Sequence, residues 1–348
     1  MKKILLSAGL LLSLSVQSAF AQESLTTTTS STTGTSTATA TPVTVAAPDD
    51  LTSSIKTEPI PGGDVKIGDF VVGPGKIEVT VKPGESVTKE IMLTNRIDDN
   101  RQFQFTVEDM SGSADGSQSV VLLGDQRGPY SIKDYLTIPK GHLTLKLGQR
   151  AHIPITITVP KDAEPGGYYG SVLINTIQDD GKNPDGTVGR SPIIARIGTL
   201  FFVTVPGKAD IEGVIKHFAP IGDQWLFTKG PINLGITYEN TGSVHLNPYG
   251  EIHITNMFGS EVGYVEIEPW FILPKSLRTR EVIWNSDFLL GRYKITAQIN
   301  RGYDNQVDTM SYVVWVLPWQ VVLPVFAGLF LIIFIIRLFF SKFEFKRK

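Results

Sequence analysis

The chain has 348 residues, with 32 Lys and Arg against 34 Asp and Glu, and its formal net charge of -2 leaves no electrostatic footprint for nucleic acid. It has no cysteine, which excludes a disulfide framework, thiol chemistry and a lipidated N-terminal Cys. Cohesion must come from apolar burial, and with the terminal segments set aside about 250 residues remain for it, one large or two ordinary domains.

Residues 1–21 read as a secretory signal peptide. Lys2 and Lys3 form the basic start, residues 4–16 the apolar stretch, and Ala19-Phe20-Ala21 a small-x-small site with cleavage between Ala21 and Gln22. Residues 22–63 are expected to be a disordered Ser/Thr-rich stalk: 19 of the 36 residues from 22 to 57 are Ser or Thr, too few apolar groups to offset chain entropy. It is either a passive spacer or a glycosylated arm, and without any Asn-x-Ser/Thr sequon only O-linked sugar is open to it.

From Val65 onward apolar residues recur with period two. Ile77, Val79 and Val81 alternate with polar neighbours, as do Phe103, Phe105 and Val107, then Leu143, Leu145 and Leu147, then Ile153, Ile155, Ile157 and Val159. Turn pairs such as Pro83-Gly84, Asp115-Gly116 and Pro165-Gly166 punctuate them. Short strands at this spacing predict antiparallel β-sandwiches. Opposing apolar to apolar positions across Gly148-Gln149-Arg150 predicts a hairpin in which Leu147 pairs with Ala151, Leu145 with Ile153 and Leu143 with Ile155.

Pro206-Gly207 marks the boundary between a first sandwich, 64–207, and a second, 208–316. The second repeats the alternation at Ile232, Leu234, Ile236 and Tyr238, at Ile252 and Ile254, and at Tyr293, Ile295, Ala297 and Ile299. A weak internal repeat, Gly166-Gly167-Tyr168 and Gly291-Arg292-Tyr293, suits a sandwich corner whose Tyr hydroxyl bonds back to the backbone, or simple core filling.

No charged residue falls between Asp308 and Arg337, and residues 317–340 supply the roughly 20 apolar positions that a membrane span requires. Tyr312, Trp315 and Trp319 stand where aromatic rings anchor the outer interface. Arg337 and the basic tail 341–348 mark the cytoplasmic side. Pro318 suits the helix start, whereas Pro324 predicts a kink or a late start. The expected topology is therefore single-pass in the cell membrane, with an extracellular ectodomain outside and the C-terminus inside.

The chain carries no Gly-x-Ser-x-Gly, His-Glu-x-x-His, Gly-Lys-Ser/Thr or Gly-x-Gly-x-x-Gly signature, so neither an enzyme nor a cofactor is expected. The nearest thing to a metal loop brings together Asp179, Asp180, Asn183 and Asp185 around Gly186. It lacks the terminal ligands of a calcium loop, with Gly181 at position one and Pro192 at position twelve, and matches a solvated turn better. Trp225 and Trp270 are candidate exposed binding residues, core filling being the competing account, and Trp284 reads as core.

The segments 76–84, 91–95, 157–160 and 166–170, together with Ile283-Trp284 and 290–293, resemble the WxL-interacting proteins of Gram-positive cell surfaces. That resemblance implies two Ig-like domains and a C-terminal anchor, a first domain that contacts the cell wall and a second that contacts WxL-type surface proteins. It supplies no catalytic residue. The long stalk and the insert near 179–190 depart from the family pattern. Three functions follow for testing: a scaffold or adhesion protein that binds cell-wall polymer or a surface protein, an accessory subunit of a membrane complex, and a surface hydrolase.

Overall fold

The computed structural model describes residues 50–60, 65–177, 195–286 and 288–342, and these form two Ig-like antiparallel β-sandwiches followed by one apolar helix. The residues expected to form a signal peptide, with Ala21 and Gln22, the 179–185 segment and the residues beyond 342 lie outside the described residues.

In the first sandwich, one sheet contains β1 (Lys56–Pro59), β2 (Val71–Gly73), β4 (Ser86–Thr94), β7 (Leu136–Thr137) and β9 (Gln149–Thr158). Facing it are β3 (Lys76–Thr80), β5 (Arg101–Ser111), β6 (Val121–Leu122), β8 (His142–Leu145), β10 (Gly166–Ile177) and β11 (Arg196–Val205). The second sandwich pairs β12 (Gly213–Pro220), β14 (Ile232–Asn240) and β17 (Ser276–Trp284) against β13 (Leu226–Phe227), β15 (Tyr249–Asn256), β16 (Glu261–Ile267), β18 (Gly291–Asn300) and β19 (Val307–Val316).

The two sandwiches repeat one topology. The order β2-β4-β9 recurs as β12-β14-β17, and β3-β11-β10-β5 recurs as β13-β19-β18-β15. In each, a short early strand pairs parallel to the last one, β3 with β11 and β13 with β19. Period two sets the inward faces. Ile91 and Leu93 of β4 and Ile153, Ile155 and Ile157 of β9 pack with Phe103 of β5 and Val172 and Ile174 of β10. A separate core forms in the second sandwich around Ile232, Leu234, Ile236, Ile295, Ile299 and Trp284. Both corner tyrosines bond back to the backbone: the Tyr168 hydroxyl donates to the Glu164 carbonyl at 2.9 Å and the Tyr293 hydroxyl to that of Leu290 at 3.2 Å.

Three expectations are corrected. The predicted 143–155 hairpin does not form: β8 pairs with β5, and β9 pairs with β4 and β1. The turn at Gly148 crosses between layers, and two strands that face one core from opposite sheets show the same alternation as neighbours in one sheet. Residues 50–60 do not belong to a disordered stalk. Ile55 is buried, β1 pairs with β9 and Asp50 bridges His142, because Leu51 and Ile55 give this part of the chain an apolar anchor that a Ser/Thr count overlooks. Finally, of the two readings of Pro324, a kink or a late start, the late start is excluded, because the helix α1 (Trp319–Lys342) begins ahead of it. Pro324 is the sixth residue of α1, so the bond that an N–H there would make to the Gln320 carbonyl is missing, while the Pro318 carbonyl accepts from Val321 and Val322.

Candidate binding surface

The sandwiches meet at a packed joint. Phe201 and Phe202 are adjacent in β11, so they point to opposite faces. Phe201 enters the first core, while Phe202 joins Met110, Tyr169 and Leu273 in a separate cluster between the sandwiches. Phe202 meets Phe271 edge-on with ring centroids 4.9 Å apart, and the Arg278 guanidinium lies 4.2 Å from the Phe271 centroid.

A polar chain runs through this joint. The His245 backbone N–H donates to the Tyr169 hydroxyl at 2.6 Å, the Tyr169 hydroxyl lies 3.2 Å from His245 Nδ1, and His245 Nε2 lies 2.7 Å from Glu78 Oε1. Burial pushes the His245 imidazole below its ordinary range, and the Glu78 carboxylate only partly offsets this. Burial tends to raise Glu78, but hydrogen bonds from His245 and Lys76 outweigh it and hold the carboxylate low. A neutral imidazole that donates through Nε2–H to Glu78 and accepts the Tyr169 proton at Nδ1 satisfies every member of the chain. Main-chain bonds from Leu277 to Ser113 and from Gly167 to Ser243 complete the joint.

Pairing defines the poles. The Thr158 end of β9 and the Gly166 start of β10 adjoin the second sandwich, so Thr94 and Arg150, paired across β4 and β9, lie at the far pole. In the second sandwich Asn240 and Ser276 lie at the joint end and Ile232 and Trp284 at the opposite one. From that opposite end β19 passes through Leu317 and Pro318 into α1.

At the far pole a cleft of about 400 Å³ is lined by Ile60, Val65, Lys66, Val71, Thr94, Arg96 and Arg150. Arg96 Nε donates to the Lys66 carbonyl at 3.0 Å, and Arg150 Nε to Thr94 Oγ1 at 3.2 Å, which fixes both guanidinium stems. Arg150 has one distant carboxylate, Glu58, at 3.9 Å. Among the described residues, Lys66 and Arg96 form no ion pair. Three cations over an apolar floor can bind phosphate or carboxylate groups, with guanidinium forks suited to bidentate contact.

The sequence-predicted residues are dispersed. Trp225 is 60% exposed at the α1 end, whereas Trp270 is 3% exposed and packs edge-on against Tyr238, so it is not a surface binding residue. Pro269 ends the alternation just before Trp270, and period two no longer indicates its direction. Trp284 is buried against Tyr293. Trp315 and Trp319 are exposed near the strand–helix junction; Tyr312 is half-buried, its hydroxyl donating to the Asp223 carbonyl at 3.0 Å. Arg337 lies within α1. Among the described residues no group of three or more His, Cys, Asp or Glu is placed to hold a metal. Lys66, Arg96 and Arg150 escaped sequence reasoning because they come from three separate segments with no shared spacing. The adjacent pair Phe201-Phe202 was a legible sign that β11 buries both faces.

No protein-family model and no curated protein sequence matches the chain. Among solved structures it is similar to the class 5 fimbriae chaperone CfaA, at 10% identity over 71% of this chain and 99% of that one, with a TM-score of 0.36. The E. coli chaperone DraB matches at 14% identity over 71% and 98%, with a TM-score of 0.34. A chain of the CsuC–CsuE chaperone–tip adhesion subunit pre-assembly complex of Acinetobacter baumannii matches at 9% identity over 70% and 98%, with a TM-score of 0.35.

Proposed function

We propose that the protein is a non-enzymatic, single-pass envelope protein of the WxL-interacting type, which holds an anionic cell-wall polymer at the far pole of its first sandwich. The observation that carries this reading is the basic cleft of Lys66, Arg96 and Arg150 at the pole opposite α1. Residues 22–49 precede this sandwich, α1 follows the second, and the mean hydropathy of α1 is 2.8 over its most apolar window with none of it buried. Anchored by α1, with the C-terminus inside, the joined sandwiches present the cleft away from the bilayer and towards the wall. The family resemblance assigns wall contact to the same domain, and WxL-type surface proteins to the second.

Cosedimentation of the full chain in lipid nanodiscs with purified cell-wall sacculi tests this reading. Wild-type protein is expected to be retained, less so as salt rises, and K66A/R96A/R150A to bind about tenfold or more weakly. Undiminished retention by the triple variant would reject the cleft. Retention of a surface protein with no wall binding at all would favour a protein partner instead.

A further inference from the structure

Large apolar side chains also occupy the tips of loops at the α1 end of the second sandwich. Phe258 is 85% exposed, Phe288 64%, Trp225 60% and Met257 51%. They come from three connections far apart in sequence, yet register brings them to one end: Asn256 pairs with Tyr293, Gly291 with Val316 and Leu226 with Trp315. The Met257 side chain packs beside Gly291. Hairpin tips are ordinarily polar, and Asn256-Met257-Phe258-Gly259 breaks that rule without burying either residue.

We infer that these tips form a seat in the outer lipid interface, rooted by α1. The inference rests on reading α1 as a membrane span. Leu317 and Pro318 alone separate β19 from Trp319, a reach of about 10 Å at most. Leu317 is itself fastened to the sandwich, its N–H donating to the Phe227 carbonyl at 2.8 Å. The 24 residues of α1 extend about 36 Å against a hydrocarbon core of about 30 Å, so Trp319 sits at the interface and the sandwich end cannot stand clear of the headgroups. Aromatic and thioether side chains at loop tips suit that layer, where the apolar body enters and the polar backbone stays wet. The second sandwich is thereby held at several points, which fixes its attitude to the bilayer as a single flexible tether would not.

The absence of cysteine allows single probes. An environment-sensitive fluorophore is placed at S260C beside the Phe258 tip, at L331C in mid-helix and at K89C on the first sandwich of the full chain, reconstituted in vesicles of phosphatidylcholine and phosphatidylglycerol. Spin-labelled lipids with the quencher near the headgroup should quench the 260 probe about twofold or more relative to the 89 probe, and quenchers at the bilayer centre should quench the 331 probe. M257S/F258S should weaken quenching at 260 about twofold or more while leaving 331 unchanged. If 331 is quenched but 260 behaves like 89, the seat is rejected and the span stands. If 331 is not quenched, the span reading itself fails.

Discussion

Tyr169 shows how much of the joint rests on one hydroxyl group. It accepts from the His245 backbone and reaches Nδ1 of the same residue, so a Tyr169→Phe change strands a buried N–H while leaving the ring packing intact. We expect a loss of about 1–3 kcal/mol, read as a lowered denaturant midpoint with an unchanged slope. A midpoint equal to wild type would show that the chain contributes nothing to stability. The sequence singled out Tyr168, whose hydroxyl does bond backbone, and passed over its neighbour. In a strand the two point to opposite faces, and only the presence of a second sandwich gives the outer face of β10 something to bury against. Trp225 and Trp270, which sequence patterning treated alike, separate for a different reason: Trp270 packs into the core of the second sandwich while Trp225 stays exposed.

At the scale of elements, the repeat between the sandwiches extends to one buried asparagine in each. Asn95, at the end of β4, donates to the Asp99 and Leu145 carbonyls and accepts from the Ile97 N–H. Asn240, at the end of β14, donates to the Val244 and Ile272 carbonyls and accepts from the Gly242 N–H. Each therefore closes the turn that follows its strand; Asn95 ties it to β8 of the facing sheet, and Asn240 ties it to the connection between β16 and β17. Replacing either with Ala leaves three backbone groups without that partner, and about 2–4 kcal/mol of destabilisation is expected in thermal or chemical unfolding. A change below about 0.5 kcal/mol would mean that water replaces the side chain at no cost. The sequence marked Asn95 only as the end of the segment 91–95 and Asn240 not at all, because Asn at a strand end is an ordinary turn signal. The failed 143–155 hairpin has the same origin: alternation identified the faces of β8 and β9 correctly but not their partners.

Across the whole molecule, two histidines respond to pH in opposite directions. The folded state holds His245 below its ordinary value of 6.5, so the unfolded chain takes up this proton first and the His245 contribution, complete above pH 6.5, is lost as the pH falls towards the folded value. Hydrogen bonds donated to Glu251 and then to Glu261 raise His253, whose contribution is present below pH 6.5 and fades as the pH rises through its folded value. An NMR titration of the full chain should therefore find His253 protonating at higher pH than His245. The reverse order would contradict the neutral imidazole placed in the joint. Acidification should loosen the connection between the sandwiches, because His245 is buried there while His253 is on an open strand face.

The sequence by itself determined that the chain is built of β-strands with one apolar helix at its C-terminal end, because side-chain period and hydropathy are local properties that any fold must respect. It also offered the corner tyrosines as one of two readings, and the structure chose it, their partners lying within four residues along the chain. Only the tertiary structure decided which sheet each strand joins, which tryptophan is buried, and that Lys66, Arg96 and Arg150 share a cleft. Those outcomes depend on contacts between residues distant in sequence, and period two specifies a face without naming what lies across from it.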